Sequence, residues 1–242
     1  MPSAVVCLPT YNEAENIELV IDGLFAADET LHVLVIDDGS PDGTGDIVER
    51  RAASDPRLSL LRRPGRLGLG TAYLAAFREG LARGHNLFLT MDSDLSHSPE
   101  RVPALIAAVE GGADLAIGSR YVPGGSITGW GLHRRVLSFG ANSFARLWLR
   151  IGAHDCTSGF RCYRRAAVEL LVTAPVRARG YSTLVELLVR CERAGFKVVE
   201  VPIRFVDRVR GKSKMSFREM FDGIASVVTL GSALATEPAH AD

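Results

Sequence analysis

Short apolar runs alternate with amphipathic stretches along the first 120 residues. The runs AVVCL and LHVLVI are rich in β-branched residues, as is typical of strands, and the stretch after AVVCL repeats its apolar positions at helical spacing. The pattern predicts strands at 4–8, 31–38, 57–63, 86–91 and 113–120. Strands that are apolar on both faces and separated by helices predict an α/β fold with a mostly parallel central sheet and helices on both faces.

Acidic residues follow two of these strands. Asp37 and Asp38 close the second strand, and Asp92 and Asp94 follow the fourth. In an open parallel sheet, ligands bind beyond the carboxyl ends of the strands, and carboxylates suit Mg²⁺ or Mn²⁺. The pattern therefore indicates a metal site, although Asp-Ser-Asp alone also suits a helix cap and DDGSPDGT also suits a turn.

The pattern is less regular after residue 121. It predicts a glycine-rich loop, several helices, a strand at 196–205 and a basic loop at 207–214. No linker-like composition separates the two halves, so we expect one domain over 1–236. Its parts would be a nucleotide-binding half at 1–120, an acceptor half at 121–216 and a C-terminal amphipathic helix at 217–236, followed by a disordered tail at 237–242.

Composition narrows the class of protein. The 242 residues include 28 basic and 28 acidic ones, and 47% are hydrophobic, so neither a disordered chain nor a nucleic-acid partner is indicated. The four cysteines lack metal-binding spacing, and we expect reduced thiols in a cytosolic protein. No signal peptide is expected, and no apolar run approaches the roughly 20 residues that span a bilayer. A soluble or membrane-peripheral protein is predicted.

Basic residues from the end of the first half onward complement the acids of the first half. They are Arg120, Arg134, Arg135, Arg208, Arg210, Lys212 and Lys214. We interpret Arg135 and Arg210 as solvated loop charges, and the others as groups that could neutralise phosphates above an acidic, metal-holding edge. Acids for a metal together with Arg and Lys for phosphate predict a nucleotide-diphosphate substrate.

Eight motifs, in this order, carry a resemblance to a known family. They are LPTYNEAENI, VIDDGSPDGT, RPGRLGLGTAY, MDSDLSHSPE, GSRYVPGG, GWGLHRRVLSFGAN, TSGFRCYRR and DRVRGKSKMS. From about residue 4 to residue 217 the chain resembles family 2 glycosyltransferases of the GT-A fold, and more narrowly the polyprenyl-phosphate (dolichyl-phosphate) mannose synthases. DDGSPDGT marks the broad family, whereas RPGRLGLGTAY, TSGFRCYRR and RxxGxSKMS are typical of the polyprenyl-phosphate branch. The resemblance implies a GT-A nucleotide-diphospho-sugar transferase fold without a transmembrane segment.

The resemblance also implies roles for the residues that match. The donor's nucleoside would be bound by Pro9, Tyr11, Glu13, Ile36 and Asp38, with Ser93 touching the nucleotide. Asp92 and Asp94 correspond to the family's catalytic DxD pair: Asp94 would ligate the metal, and Asp92 would ligate it or orient the sugar. Ser96 stands where many relatives have a metal-ligating Gln, and its hydroxyl is a shorter, weaker ligand.

Phosphate binding is implied for a second group of residues. The donor's diphosphate would meet Arg120, Arg208 and Lys214. The acceptor's phosphate would meet Arg120, Ser138 and the catalytic Arg134.

The implied reaction is inverting transfer of mannose from GDP-mannose to a polyprenyl phosphate, with Mg²⁺ or Mn²⁺ as cofactor. A phosphate nucleophile is largely ionised at pH 7, because its second pKa is about 6, so it needs positive charge for docking rather than a base. Asp155 is the candidate if a base is required, although a cap to its loop is the simpler interpretation. His97 is interpreted as a loop residue.

A lipid acceptor raises the question of a membrane surface. The predicted last helix carries an apolar stripe at Phe217, Met220, Phe221, Ile224, Val227 and Val228. This stripe suits either the core or a bilayer surface. We expect a protein that is peripheral on the cytoplasmic face of a membrane, with a membrane-anchoring partner protein as a further possibility.

Two other functions stay open from the sequence. The same lipid phosphate could receive another sugar, such as glucose from UDP-glucose. A non-catalytic module that binds nucleotide sugars is the alternative from a different class, although the complete DSD motif and both phosphate-binding loops argue against it.

Overall fold

A computed structural model describes residues 3–178, 180, 182–207 and 225–232. The strands are β1 (Ala4–Thr10), β2 (His32–Asp37), β3 (Leu58–Arg62), β4 (Leu87–Thr90), β5 (Leu115–Ser119), β6 (Ser126–Thr128), β7 (Arg161–Arg164), β8 (Val198–Pro202) and β9 (Arg204–Val206). The helices are α1 (Ile17–Ala27), α2 (Thr44–Ala52), α3 (Leu69–Ala82), α4 (Val102–Glu110), α5 (Leu132–Leu149), α6 (Arg165–Leu171) and α7 (Ser182–Arg193). Residues 225–232 are also helical.

Seven strands form the central sheet, in the order β3-β2-β1-β4-β7-β5-β8. All neighbouring pairs are parallel except the two that involve β7. The mostly parallel sheet predicted from the sequence is confirmed. From β1 the strand order runs in opposite directions toward β2 and β4, so a switch point lies between β1 and β4, where such sheets open a crevice for ligands.

Helices cover both faces of this sheet, as predicted. One apolar cluster lies under α3, α6 and α7 and takes in Ala145 and Leu149 of α5. The other lies under α1 and α4. Strand β4 is buried along its whole length because it is covered on both faces.

Strand β7 was not predicted from the sequence, which was interpreted there as a loop entering a helix. The segment RCYR runs antiparallel between β4 and β5 and separates them. Its first residue, Arg161, is fully buried and donates hydrogen bonds to the carbonyl oxygens of Cys156, Ser158 and Leu184. Arginine at both ends of a four-residue run hides the apolar signal of a strand.

The predicted strand at 196–205 is divided in the structure. It forms β8 and β9 on either side of Ile203. Strand β9 leaves the central sheet and pairs in parallel with β6, which lies within the predicted glycine-rich loop. This small second sheet places the end of β9 beside the start of α5.

The C-terminal helix is described only over 225–232. There Val227 and Leu230 are buried in the cluster under α7, whereas Val228 is partly exposed. Of the predicted apolar stripe, Val227 therefore packs on the core, whereas Val228 does not. The rest of the predicted helix, 217–224 and 233–236, and the predicted tail at 237–242 lie outside the described residues.

Within the described ranges, the structure contains no helix of the length and apolar character required to cross a bilayer.

Two helical glycines should respond in opposite ways to replacement by alanine. Alanine normally stabilises a helix interior by about 0.5–1 kcal/mol relative to glycine. A Cβ at Gly80 of α3 would lie 2.6 Å from Phe88 Cε1, whereas a Cβ at Gly140 of α5 would meet nothing within 4 Å. Gly80→Ala should therefore lower the free energy of unfolding by about 1–3 kcal/mol, and Gly140→Ala should raise it. Urea denaturation of both variants measures this, and a stabilised Gly80→Ala protein would contradict the packing described.

Candidate active site

The carboxyl ends of β1, β2, β4 and β5 meet at one edge of the sheet, because these strands are parallel. At the switch point, the hydroxyl of Ser93 donates a hydrogen bond to the carbonyl oxygen of Pro9, with 3.1 Å between the oxygens. The loop after β4 is thereby tied to the end of β1. These polar loops therefore converge at the edge of the sheet where the sequence predicts ligand binding.

The loop after β2 supports the loop after β1 through side-chain oxygens. Ser40 Oγ accepts the backbone N–H of Asn12, and Thr44 Oγ1 accepts that of Glu13, each at 3.0 Å. Asp42 Oδ2 accepts the N–H of Ala14. Most polar residues of DDGSPDGT therefore stabilise the turns of these two loops. This is the simpler of the two interpretations that the sequence allowed.

The adjacent acids Asp37 and Asp38 have different environments. Asp37 is buried and accepts hydrogen bonds from the backbone and hydroxyl of Ser40. Asp38 Oδ1 lies 3.3 Å from Arg63 Nη1, and neither atom has a hydrogen bond among the described residues. Burial raises the pKa of Asp38, and the positive charge of Arg63 opposes that shift. Asp38 is thus the acid of this pair whose side chain stays partly accessible, at 14% exposure.

The other predicted nucleoside-binding residues differ in accessibility. Tyr11 lies beneath the guanidinium of Arg66, whose Cζ is 4.9 Å from the ring centre. Glu13 accepts a hydrogen bond from Asn16 at 2.9 Å. Ile36 is fully buried in the core, and its carbonyl oxygen accepts the hydroxyl of Thr10. The side chain of Ile36 therefore does not line the edge, and only its backbone could take the predicted role.

The DSD motif places its two acids at different depths. The side chain of Asp92 is 39% exposed, whereas Asp94 is buried. Asp94 Oδ1 accepts a hydrogen bond from the backbone N–H of Ser96 at 3.0 Å. This bond holds the turn at Leu95, whose φ is 63°. The hydroxyl of Ser96 is buried and has no hydrogen-bond partner among the described residues.

These residues fit a cation that shares its ligands with a substrate. The described part of the chain contains no group of three or more His, Cys, Asp or Glu that could hold a metal by itself. The donor set consists of two carboxylates and an unpartnered buried hydroxyl at Ser96, all oxygen ligands of the kind that Mg²⁺ and Mn²⁺ prefer. Such a cation would take its remaining ligands from phosphate oxygens and water.

His97 has a contact that the sequence analysis did not assign. Its Nε2 lies 3.4 Å from Asp92 Oδ2, and its ring is buried between Phe160 and Phe205. A Cβ at Gly159 would lie 3.3 Å from Asp92 Oδ1. The position of Asp92 thus depends on a buried ring on one side and on the absence of a side chain on the other.

Arg120 is bound to Asp155 within the protein. Its Nε and Nη2 donate to the two carboxylate oxygens at 2.7 and 2.6 Å, and its backbone N–H donates to the same group. Burial raises the pKa of Asp155, but the charge and hydrogen bonds of Arg120 outweigh it, and the pKa lies below its ordinary value. Asp155 is therefore a fixed counter-ion, which does not suit the alternative role of a base.

Arg134 and Ser138 lie on α5, near Arg120. Arg134 Nη1 lies 3.1 Å from Asp207 Oδ2, and its guanidinium stacks on Trp130 with 4.2 Å between Cζ and the ring centre. Both partners of this pair are roughly one-third exposed. The hydroxyl of Tyr121 donates to Ser138 Oγ at 2.7 Å. The structure therefore brings the three predicted acceptor-phosphate residues to one region.

A groove of about 350 Å³ opens in this region. It is lined by Arg120, Tyr121, Ile127, Arg135, Val136 and Phe139. Arg135, interpreted from the sequence as a solvated charge, donates to the carbonyl oxygen of Ile127 at 2.6 Å and forms part of this lining. The groove thus combines two guanidinium groups with an apolar wall.

Three predicted phosphate-binding residues, Arg208, Lys212 and Lys214, lie outside the described residues. Other contacts that hold this region together were not predicted from the sequence. Asn142 of α5 donates to Thr157 Oγ1 and accepts the backbone N–H of Cys156, which fastens α5 to the loop that holds Asp155. The motif TSGFRCYRR marked this loop but did not indicate the pairing.

Comparison with known proteins places the chain in a family. The model of the family described as "Glycosyl transferase family 2" matches residues 5–171. The chain is 46% identical over 228 residues to a polyprenol monophosphomannose synthase of Mycolicibacterium smegmatis, covering 94% of this chain and 86% of that protein. It is 42% identical over 226 residues to an undecaprenyl-phosphate mannosyltransferase of Micrococcus luteus, covering 93% of each.

Solved structures share the fold. Glucosyl-3-phosphoglycerate synthase from Mycobacterium tuberculosis, in complex with Mn²⁺, UDP and glucosyl-3-phosphoglycerate, superposes with a TM-score of 0.70 at 24% identity, covering 98% of this chain and 81% of that one. The mannosyltransferase PcManGT from Pyrobaculum calidifontis, in complex with GDP-Man and Mn²⁺, has a TM-score of 0.60 at 19% identity, with coverages of 100% and 76%. At these identities the likeness concerns the fold alone, and it confirms the predicted GT-A class.

Replacing Asp155 by Asn should strongly destabilise the protein. The change leaves Arg120 as an unpaired buried charge, which costs about 3–5 kcal/mol at neutral pH. Urea denaturation measures the loss. As a matched control, Glu169→Gln removes the acid of an exposed pair with Arg165 and should leave the unfolding midpoint almost unchanged.

The same pair should give stability a specific pH dependence. Because the folded-state pKa of Asp155 lies below the ordinary value of 3.8, its contribution is present above that pH and is lost as the pH falls through the folded-state value. Between about pH 5 and about pH 2, the free energy of unfolding should fall more steeply in the native protein than in Asp155→Asn. Equal slopes would show that the pair contributes nothing in this range.

Proposed function

The chain belongs to glycosyltransferase family 2, and from this membership we propose that it transfers mannose from GDP-mannose to a polyprenyl phosphate. The products are polyprenyl phosphate mannose, with inversion at the anomeric carbon, and GDP. The proposal treats residues 1–236 as one catalytic domain, since strands from both halves share the central sheet. Its acceptor and sugar are those named for the two relatives that cover almost the whole chain.

One observation carries the proposal: Asp92 of the DSD loop and Arg120, which follows β5, lie within electrostatic range of each other. Burial lowers the pKa of Arg120, but Asp155 above all, and Tyr121 and Asp92 more weakly, raise it above its ordinary value. Asp92 follows β4, whereas Arg120 follows β5 beyond the inserted β7. A donor diphosphate at the acids and an acceptor phosphate at the arginines would therefore be neighbours.

The acceptor side needs positive charge, since its nucleophile is already ionised. The oxygen of the acceptor phosphate attacks the anomeric carbon as the bond from that carbon to the diphosphate breaks. A phosphate with a second pKa of about 6 carries its nucleophilic charge at pH 7 without a general base. The buried pairing of Asp155 with Arg120 agrees with this, because the acid that could have served as a base is engaged.

The two arginine pairs suit different tasks. Arg120 and Asp155 are both buried and joined by several hydrogen bonds, so Arg120 is held in one position. Arg134 and Asp207 are partly exposed and joined at 3.1–3.2 Å, so water or a phosphate can replace Asp207 at lower cost. We assign Arg134 to stabilising the negative charge that shifts between the phosphates during the reaction. We assign Arg120 and Ser138 to positioning the acceptor phosphate.

On the donor side, Asp38, Tyr11 and the backbone around Ile36 would hold the nucleoside. Arg208 and Lys214 would bind the diphosphate. Asp92 and Asp94, with Ser96 beside them, would hold a divalent cation, Mg²⁺ or Mn²⁺. When bound, this cation supplies positive charge that stabilises the leaving diphosphate.

Radiolabelled GDP-mannose with a polyprenyl phosphate, in the presence of Mg²⁺ or Mn²⁺, should yield label in the lipid phase. A chelator should abolish the transfer, because the acids then face the diphosphate without a cation between them. A parallel reaction with UDP-glucose tests the alternative donor. Transfer from UDP-glucose alone would replace the proposed donor, and binding of nucleotide sugars without transfer from either would indicate a non-catalytic module.

Asp94→Asn should lower kcat at least about 100-fold, as expected when a group that stabilises developing charge is removed. The folded state should change little, since Asn can still accept the backbone N–H of Ser96. Turnover and the thermal midpoint are the two measurements. Asp46→Asn, on the exposed side of α2, is the matched control and should match the native protein in both. Near-native turnover of Asp94→Asn would remove Asp94 from the mechanism.

A further inference from the structure

Two glutamates bind the backbone of the loop that leads from α5 to Asp155. Glu192 of α7 accepts hydrogen bonds from the backbone N–H groups of residues 152–153 at 3.0–3.3 Å. Glu200 of β8 accepts those of His154 and Asp155 at 2.8 and 3.0 Å. Four consecutive N–H groups of this loop are therefore held by carboxylates from two different elements.

Glu200 occupies a position of its strand that faces the apolar core. Strand β8 has the sequence VVEVP, and the residues of a strand alternate between its two faces. Glu200 therefore shares a face with Val198, which packs against the apolar cluster under α7. The side chain of Glu200 is only 11% exposed. A largely buried carboxylate is costly unless hydrogen bonds satisfy it, and the loop supplies them through His154 and Asp155.

Asp155 is held through both its backbone and its side chain. Its N–H donates a hydrogen bond to Glu200, and its carboxylate accepts three hydrogen bonds from Arg120. Two residues further on, Thr157 Oγ1 accepts another hydrogen bond from Arg120 at 2.9 Å. Glu200 therefore fixes the backbone of the residue whose side chain fixes Arg120.

We propose that Glu200 is a positioning residue for the acceptor phosphate: it holds the backbone of Asp155 so that the carboxylate meets Arg120 with both of its oxygens. This step rests on the proposed function, in which Arg120 positions that phosphate. Bidentate pairing requires the carboxylate to match the planar fork of the guanidinium. A displacement of about 1 Å in a group that positions a reactant can lower the rate about 100-fold. Glu200 thus acts on the acceptor through Asp155 and Arg120.

Glu200→Gln tests this role with little change in shape. One carboxylate oxygen becomes an amide NH2, which can only donate, so one of the two backbone N–H groups loses its acceptor. With saturating GDP-mannose, KM for a prenyl phosphate should rise at least about tenfold. KM for GDP-mannose should stay within about twofold of the native value, because the residues assigned to the nucleoside and the cation follow β1, β2 and β4. Steady-state kinetics with each substrate varied in turn measures both constants.

Glu192→Gln is the matched control. It changes the same chemical group on the same loop, but at the N–H groups of residues 152–153, and it should leave both KM values close to native. Glu200→Asp keeps two carboxylate oxygens and should recover part of the acceptor affinity that Glu200→Gln loses. A lower thermal midpoint of Glu200→Gln with both KM values unchanged would show that Glu200 serves only the fold and would overturn the proposal. An equal rise of the acceptor KM in Glu192→Gln would overturn it too, because any loosening of the loop would then suffice.

A double-mutant cycle shows whether Glu200 acts through Arg120. Arg120→Lys retains a positive charge beside Asp155 but loses the planar guanidinium. In the Arg120→Lys background, Glu200→Gln should therefore raise the acceptor KM less than about twofold, although it raises this constant at least about tenfold in the native protein. Equal increases in the two backgrounds would contradict the route through Arg120.

Hydrogen exchange followed by NMR separates this inference from the proposed function, because it requires no substrate. The Nε–H of Arg120 is buried and donates to Asp155 at 2.7 Å, so its hydrogen should exchange slowly with water. Exchange should be at least about tenfold faster in Glu200→Gln and unchanged in Glu192→Gln. Unchanged exchange in both variants would overturn the proposal. Faster exchange in Glu200→Gln, in a protein whose native form transfers no mannose, would contradict the proposed function while supporting the role of Glu200 at Arg120.

Discussion

The buried ion pair between Arg120 and Asp155 is the interaction on which the acceptor side of the proposed site depends. It joins the end of β5 to the loop before β7, and three hydrogen bonds with Arg120 satisfy the carboxylate of Asp155. Two charges removed from water are tolerated only with such geometry. From this loop, Thr157 and Cys156 bind Asn142 of α5. The pair therefore fixes the position of the helix that carries Arg134 and Ser138, as well as one arginine of the site itself.

The two sides of the site are built by different means. The donor side rests on backbone geometry at the switch point, where turns held by Ser40, Asp42 and Thr44 shape the loops and Ser93 ties them to β1. The acceptor side rests on ion pairs and on aromatic rings stacked against guanidinium groups. In the proposed function, the first side would hold a nucleotide donor and the second an incoming phosphate.

The fold class and the donor side follow from local sequence, whereas the acceptor side does not. Apolar strands that end in Asp38 or Asp92 are visible in a single stretch of residues, and parallel pairing brings their ends together. The counter-ions are not visible in this way, because Asp155 is 35 residues from Arg120 and Asp207 is 73 from Arg134. Strand β7 was missed for a related reason: its arginines are satisfied by distant backbone carbonyls that no local pattern indicates. The exposed apolar side chains of α5 were not predicted either, because helical spacing alone does not distinguish a face turned to the core from one left uncovered.

The insertion of β7 has a consequence for the order in which the protein can form during synthesis. Strands β1 to β4 pair with one another using only the first 90 residues, but β5 has no direct neighbour among them. It joins them only through β7, which ends at Arg164. Until that residue has left the ribosome, β4 presents an unpaired edge of the kind that recruits foreign strands. A nascent chain stalled between β5 and β7 would thus have a nearly complete donor side and an unpaired strand edge that is prone to aggregation. We expect such a chain to need a chaperone during this interval of translation.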